Sequence, residues 1–166
     1  VVLVGHSSGG GVISIAGDRD KVKSLVYVSA LQPEVGENMA QLIGSMPAPS
    51  DDIKASRDGH LFFDRTKFNA DFAADLTTNR TDFMAASQVP ATTALFGGTV
   101  WAAAWHKKPT YAVVSTEDRA LSPDLQRWMY KRAGSKVTEI KASHSVYISQ
   151  PEAVAKVIED AASVIK

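Results

Sequence analysis

Four short apolar runs set the rhythm of the chain: VVLV at residues 1–4, KSLVYVSA at 23–30, YAVVST at 111–116 and KVTEI at 136–140. Such runs, rich in β-branched and aromatic residues and bounded by turn formers, predict strands. VVLV has no polar position, so it predicts a strand buried on both faces of a parallel sheet. Between the strands the period lengthens. VISIA at 12–16 carries a glycine-rich turn into a short helix that ends near Gly17. Residues 123–133 begin at Pro123 and stop at Gly134, and residues 151–165 form a terminal amphipathic helix. Strands alternating with helices imply an α/β fold: a parallel sheet flanked by helices, with right-handed crossovers.

The alternation breaks once. From Pro33 to about Lys108 the pattern loosens into a loop at Pro47 to Asp52 and short amphipathic pieces around Phe62 to Asp64 and Phe68 to Leu76. An insertion of roughly seventy residues is too long for a bare loop and predicts its own secondary structure, mostly helical. Residues 1–166 therefore read as one α/β domain with a cap inserted at about 33–108. The chain opens without Met in the middle of an apolar strand, which predicts that a preceding segment is missing from it.

Composition narrows the function classes. Lys and Arg number 18 against 18 Asp and Glu, so no net positive field exists to attract a phosphate backbone, and nucleic acid is not an expected partner. Hydrophobic residues make up 45% and charged residues 22%, ordinary values for a soluble globular protein, with the cytoplasm marginally favoured as its compartment. No run approaches the ~20 apolar residues that would cross a bilayer. The chain has no Cys, which removes thiol nucleophiles and thiolate metal sites, and no His, Asp and Glu cluster has metal-ligand spacing. No metal or organic cofactor is expected.

The candidate chemistry begins at Gly5-His6-Ser7-Ser8-Gly9, which fits G-x-S-x-G and sits between a predicted buried strand and a helix. That strand-turn-helix context lifts a serine hydroxyl above the sheet on a strained turn, with small neighbours required at Gly5, Gly9 and Gly10. The plain alternative is a glycine-rich turn whose serines cap the helix. A serine needs a base, and the base needs a third group to fix its tautomer. His144 follows the fourth strand, at the carboxyl edge where ligands collect in open α/β sheets. His60 and His106 fall in the insertion and its exit. His6 lies inside the elbow, its side chain expected to point away from the exposed face of Ser7. The acid is expected after YAVVST, where Glu117 and Asp118 both qualify; the shorter Asp118, further into the loop, is preferred. The order Ser, acid, His is that of the α/β-hydrolases.

VVLVGHSSGG, LVYVSALQP, VVSTEDRALSPDLQRWM and ASHSVYISQPEAVAKVI resemble successive landmarks of the α/β-hydrolases. The resemblance is greatest to small esterases related to plant methylesterases and hydroxynitrile lyases. It covers the whole chain, most loosely across residues 40–100, and implies a C-terminal part from which the first four strands of an eight-stranded sheet are absent. Ser7, Asp118 and His144 match the triad position by position. The lyases of that group carry Lys directly after the catalytic His, whereas Ser145 stands here, which favours ester hydrolysis. The resemblance also implies that the backbone N–H of Ser8 supplies one oxyanion donor and that a second comes from a loop this sequence lacks.

The expected function is therefore a serine hydrolase that cleaves a small or medium apolar carboxylic ester through an acyl-enzyme. A ligand-binding, receptor-like module with little turnover, or an inactive fragment, remains the alternative. The aromatic residues of the insertion are open to two readings, packed core or lining for an acyl group. His6, Phe96, Trp101 and Trp105 are the candidates for contact with substrate. Neither the substrate's identity nor the oligomeric state is legible.

Overall fold

In the computed structural model, which describes residues 1–164, strand β1 (Val2–His6) turns into helix α1 (Gly9–Ala16) and is followed by β2 (Ser24–Val28). The chain then leaves the sheet through α2 (Met39–Ser45), β3 (Ile53–Ala55), β4 (His60–Phe63), α3 (Phe68–Phe72), α4 (Thr78–Ala86), β5 (Ala91–Thr92) and α5 (Thr93–Gly97). It returns as β6 (Thr110–Ser115), α6 (Pro123–Arg132), β7 (Lys136–Ile140), α7 (Val146–Ser149) and α8 (Pro151–Ser163). Ile165, the last residue of the helix expected from sequence, lies outside the described residues.

Strands β1, β2, β6 and β7 form one parallel sheet in that order, with Val4 opposite Val26 and Val113 opposite Thr138. Because side chains alternate along a strand, β2 faces two cores at once. Leu25 and Tyr27 pack with Ile13, Leu125 and Met129 of α1 and α6, while Val26 and Val28 pack with Val154, Val157 and Ala161 of α8. Every residue of β2 and β6 is buried, and each fully buried Val or Leu side chain contributes roughly 1.5–3 kcal/mol relative to an exposed one. The helix α8 meets the sheet through positions three and four apart, as an amphipathic stripe requires.

Val4 is 44% exposed in this chain, where β1 is the outer of the four strands and pairs with β2 alone, as the expected absence of the preceding strands implies. The insertion differs from expectation. Beside its four short α-helices and a 3-10 turn at Ala104–His106 it carries an antiparallel sheet in the order β3-β4-β5, with Ile53 opposite Phe63 and His60 opposite Thr92. Strands of two to four residues are too short to display alternation. The one legible signal was Asp58-Gly59, where Gly59 takes a φ of +82° in the β3–β4 turn. A separate core of Phe63, Phe68, Ala73 and Ala85 holds the insertion together.

Among the described residues, no helix is long and apolar enough to cross a membrane.

Candidate active site

Ser7 follows β1 directly and has a φ of +53°, in the left-handed region that a non-glycine residue occupies only at a cost of ~1 kcal/mol or more. Three backbone hydrogen bonds impose it. The Ser7 N–H donates to Val28 O at 3.3 Å, and Ser7 O accepts from the N–H of Gly10 at 3.1 Å and of Leu31 at 3.0 Å. The close approach explains two glycines. A Cβ at Gly10 would lie 1.9 Å from Leu31 O, and one at Gly5 would lie 2.6 Å from Gly9 O. Gly9, expected to be small for the same reason, has open space around it. Ser8 stands at the N-cap of α1 but its side chain makes no capping bond, so the turn does not exist to cap the helix. Tyr130 braces the other side: its hydroxyl donates to Ala30 O and accepts from the Ala30 N–H, both at 2.8 Å.

Asp118, after β6, and His144, after β7, meet at the same edge of the sheet. His144 Nδ1 lies 2.6 Å from Asp118 Oδ2, and each residue is only 1% exposed. Since a carboxylate accepts, the Nδ1 carries the proton and the Nε2 lone pair is left free. Asp118 is held on every side: Oδ1 accepts from the N–H groups of Ala120 at 2.9 Å and Leu121 at 2.8 Å, and Oδ2 accepts also from Gln126 Nε2 at 2.9 Å. Four donors thus satisfy both oxygens of this buried carboxylate. Glu117 points elsewhere, exposed and 3.7 Å from Lys141. Ser7 Oγ makes no hydrogen bond among the described residues.

His6 departs from its expected orientation. Its Nε2–H donates to His144 O at 2.8 Å, and its ring packs 4.6 Å from both the His144 and Tyr147 rings. Burial first, and then the neighbouring His144, push its pKa down to about 3. His6 thus stays neutral and buttresses His144, while one side of it opens to the same cavity as Ser7. That cavity, about 280 Å³, is lined by Ser7, Ser8 and His6 on the sheet side and by Ile53, Leu61, Phe62, Phe72 and Phe96 on the insertion side. Among the described residues, no Lys, Arg, Asp or Glu lines it.

Of the four candidate substrate contacts, His6 and Phe96 reach this cavity and the two tryptophans do not. Trp105 is buried in the main core, with its Nε1–H donating to Pro33 O at 2.9 Å. Trp101 is 71% exposed and lies over a separate groove beside Val12 and Met39. Residue type alone does not say which wall of an insertion an aromatic ring joins. His60 and His106 pair with Asp58 and Glu34 at the surface. The described residues contain no group of three or more His, Asp or Glu placed to hold a metal.

Gln126 was missed. It is fully buried and joins three partners, with Oε1 accepting from the Ser115 N–H at 3.3 Å and Nε2 donating to Leu121 O as well as to Asp118. A signal was available: Leu125, Gln126, Met129 and Tyr130 form the buried face of α6, and a Gln on an apolar stripe needs polar partners inside.

This geometry can be compared with known proteins. The crystal structure of a pyrethroid hydrolase from Sphingobium faniae JZ-2 superposes with a TM-score of 0.80 at 24% identity, over 99% of this chain and 71% of that one. A methylesterase from Arabidopsis superposes with a TM-score of 0.78 at 17% identity, over 99% of this chain and 70% of that one. At these identities the likeness is one of fold. In sequence, a carbendazim-hydrolyzing esterase of Nocardioides sp. (strain SG-4G) is 49% identical over 45 residues, 26% of this chain; the matched stretch spans about a fifth, 19%, of that esterase. The family model described as "Alpha/beta hydrolase family" matches residues 1–157. With its parallel sheet, elbow serine and strand-end loops, the chain belongs to the alpha/beta hydrolase family.

Proposed function

We propose that the protein is a serine esterase, in which Ser7 is the nucleophile, His144 the general base and Asp118 the acid that orients it. The observation that carries this reading is the buried 2.6 Å Asp118–His144 pair at the carboxyl edge of the sheet that also bears Ser7. In the reaction, His144 Nε2 takes the Ser7 hydroxyl proton as Oγ attacks an ester carbonyl carbon. The imidazolium then gives that proton to the departing alcohol, leaving an acyl group on Oγ. Water, deprotonated by the same Nε2, attacks the acyl carbon and releases the acid and free Ser7. Asp118 holds the Nδ1–H throughout and stabilises the imidazolium. The Ser8 N–H, at the start of α1, is one donor to the oxyanion, where a single such bond is worth about 10²–10³ in rate.

Residues 33–108 act in this reading as a cap over Ser7, and the uncharged cavity between cap and sheet favours a small or medium apolar carboxylic ester. A charged acyl group there would be desolvated with no countercharge.

A receptor-like module could use the same cavity, but binding alone does not call for a buried carboxylate–imidazole pair. Turnover of a short-chain chromogenic ester by the whole protein separates the two. A serine esterase gives sustained release that Ser7→Ala abolishes; a binder gives at most one equivalent. Sustained release by Ser7→Ala would overturn the assignment.

A further inference from the structure

The loop that carries His144 is gripped by the insertion on both sides of that residue. Asp75, in the connection between α3 and α4, accepts from the Ser143 N–H on Oδ2 at 3.0 Å and from the Ser143 hydroxyl on Oδ1 at 2.5 Å. The carbonyl of Phe72, at the end of α3, accepts from the Ser145 hydroxyl at 3.1 Å. The Phe72 ring meets the His144 ring edge to face at 4.8 Å. Ser143, His144 and Ser145 are all buried, and the Ser145 N–H closes the loop on Ser143 Oγ at 3.2 Å.

Asp118 fixes one nitrogen of the imidazole, which leaves the backbone from which the ring projects to be fixed by something else. Among the described residues, the N–H and the hydroxyl of Ser143 both donate to Asp75 and to no other acceptor. Two parallel bonds from one residue to one carboxylate define a direction as well as a distance, and charge-assisted bonds of this kind are about twice as strong as neutral ones. Burial works against the Asp75 charge, and hydrogen bonding from Ser143, with further contributions from Ser149 and from Asp75's own backbone, outweighs it and leaves the carboxyl below its ordinary value.

We propose that Asp75 is a positioning residue for His144: it clamps Ser143, sets the backbone under the imidazole, and makes the seating of the insertion part of the catalytic geometry. This rests on the reading of His144 as the base. A displacement of the base by about 1 Å costs on the order of 10²-fold in rate. Neither Asp75 nor Ser143 lines the cavity, so substrate affinity should not follow.

The test uses the whole protein with Asp75→Ala, Ser143→Ala, the double variant and Asp75→Asn, followed by ester kinetics and by the proton NMR signal of the His144 Nδ1–H. Expected are a ~10- to 100-fold fall in kcat with KM within about twofold for Asp75→Ala, and a double variant no worse than the poorer single one. Asp75→Asn, which keeps one acceptor, should recover part of the loss. The Nδ1–H signal should broaden or exchange faster in Asp75→Ala. Unchanged kcat, additive losses in the double variant, or a kcat loss with an unaltered Nδ1–H signal would each overturn the proposal. If Ser7→Ala keeps its esterase activity, the esterase reading fails separately, and the His144 signal alone then decides whether Asp75 positions the ring.

Discussion

The two sheets of this protein are built on opposite terms. In the parallel sheet, β2 and β6 are buried at every residue and present a continuous core to helices on both faces. In the insertion, β3 is exposed throughout and β4 buries only Phe63. The first is a rigid floor, and the triad candidates all stand at its strand ends: Ser7 after β1, Asp118 after β6, His144 after β7. The second supplies a lining and, through Asp75 and Phe72, a grip on the His144 loop. Chemistry that demands sub-ångström placement sits on the element with the most packing, while shape is left to the element with the least.

That division is open to attack. The largest expected effect is on the floor. Asp118→Asn keeps the volume but reverses the hydrogen bonding at His144, and kcat should fall by about 10⁴-fold; Glu117→Gln, at the exposed neighbour, should leave kcat within about twofold. Equal losses at the two positions would end the assignment of the acid. On the insertion side, Phe63→Ala should lower stability by ~3–5 kcal/mol in urea unfolding, as Phe63 anchors the separate core and lines the cavity.

His6 lies at the seam and makes a pH-dependent prediction. Its native pKa is pushed down to about 3 from an ordinary 6.5, so below pH 6.5 the unfolded chain binds a proton that the native state refuses. Stability therefore falls as the pH drops from 6.5 towards 3, by at most about 1.4 kcal/mol per pH unit and by less where the ring opens to the cavity. Urea midpoints at pH 7 and pH 5 should show this slope in the native protein and a shallower one in His6→Gln. The smallest effect belongs to Trp101→Ala, which should change neither KM nor stability beyond about 0.5 kcal/mol.

The difference between the two regions also explains what could be read from the sequence. The strands of the floor are long enough to show their composition, and each triad candidate follows its strand within a few residues, so local pattern could put Ser7, Asp118 and His144 forward as candidates. The insertion offered no such period. Its strands are two to four residues long, and its contacts with the His144 loop join Asp75 to Ser143 and Phe72 to Ser145 across 68 and 73 residues. Aromatic type was a poor guide there: Phe96 reached the cavity, while Trp105 joined the core and Trp101 faced outward. VVLV stands at the outer position of the four strands with the composition of a central one, in keeping with the expected absence of the strands before it.

In the proposed esterase, Ser7 is a nucleophile activated by the Asp118–His144 pair. The most direct test is to treat the whole protein with a fluorophosphonate and locate the adduct by peptide mass spectrometry. One phosphonyl group is expected, on Ser7, lost in Ser7→Ala and formed far more slowly in His144→Ala. An adduct on another serine, or sustained ester hydrolysis by protein whose Ser7 is fully phosphonylated, would contradict it.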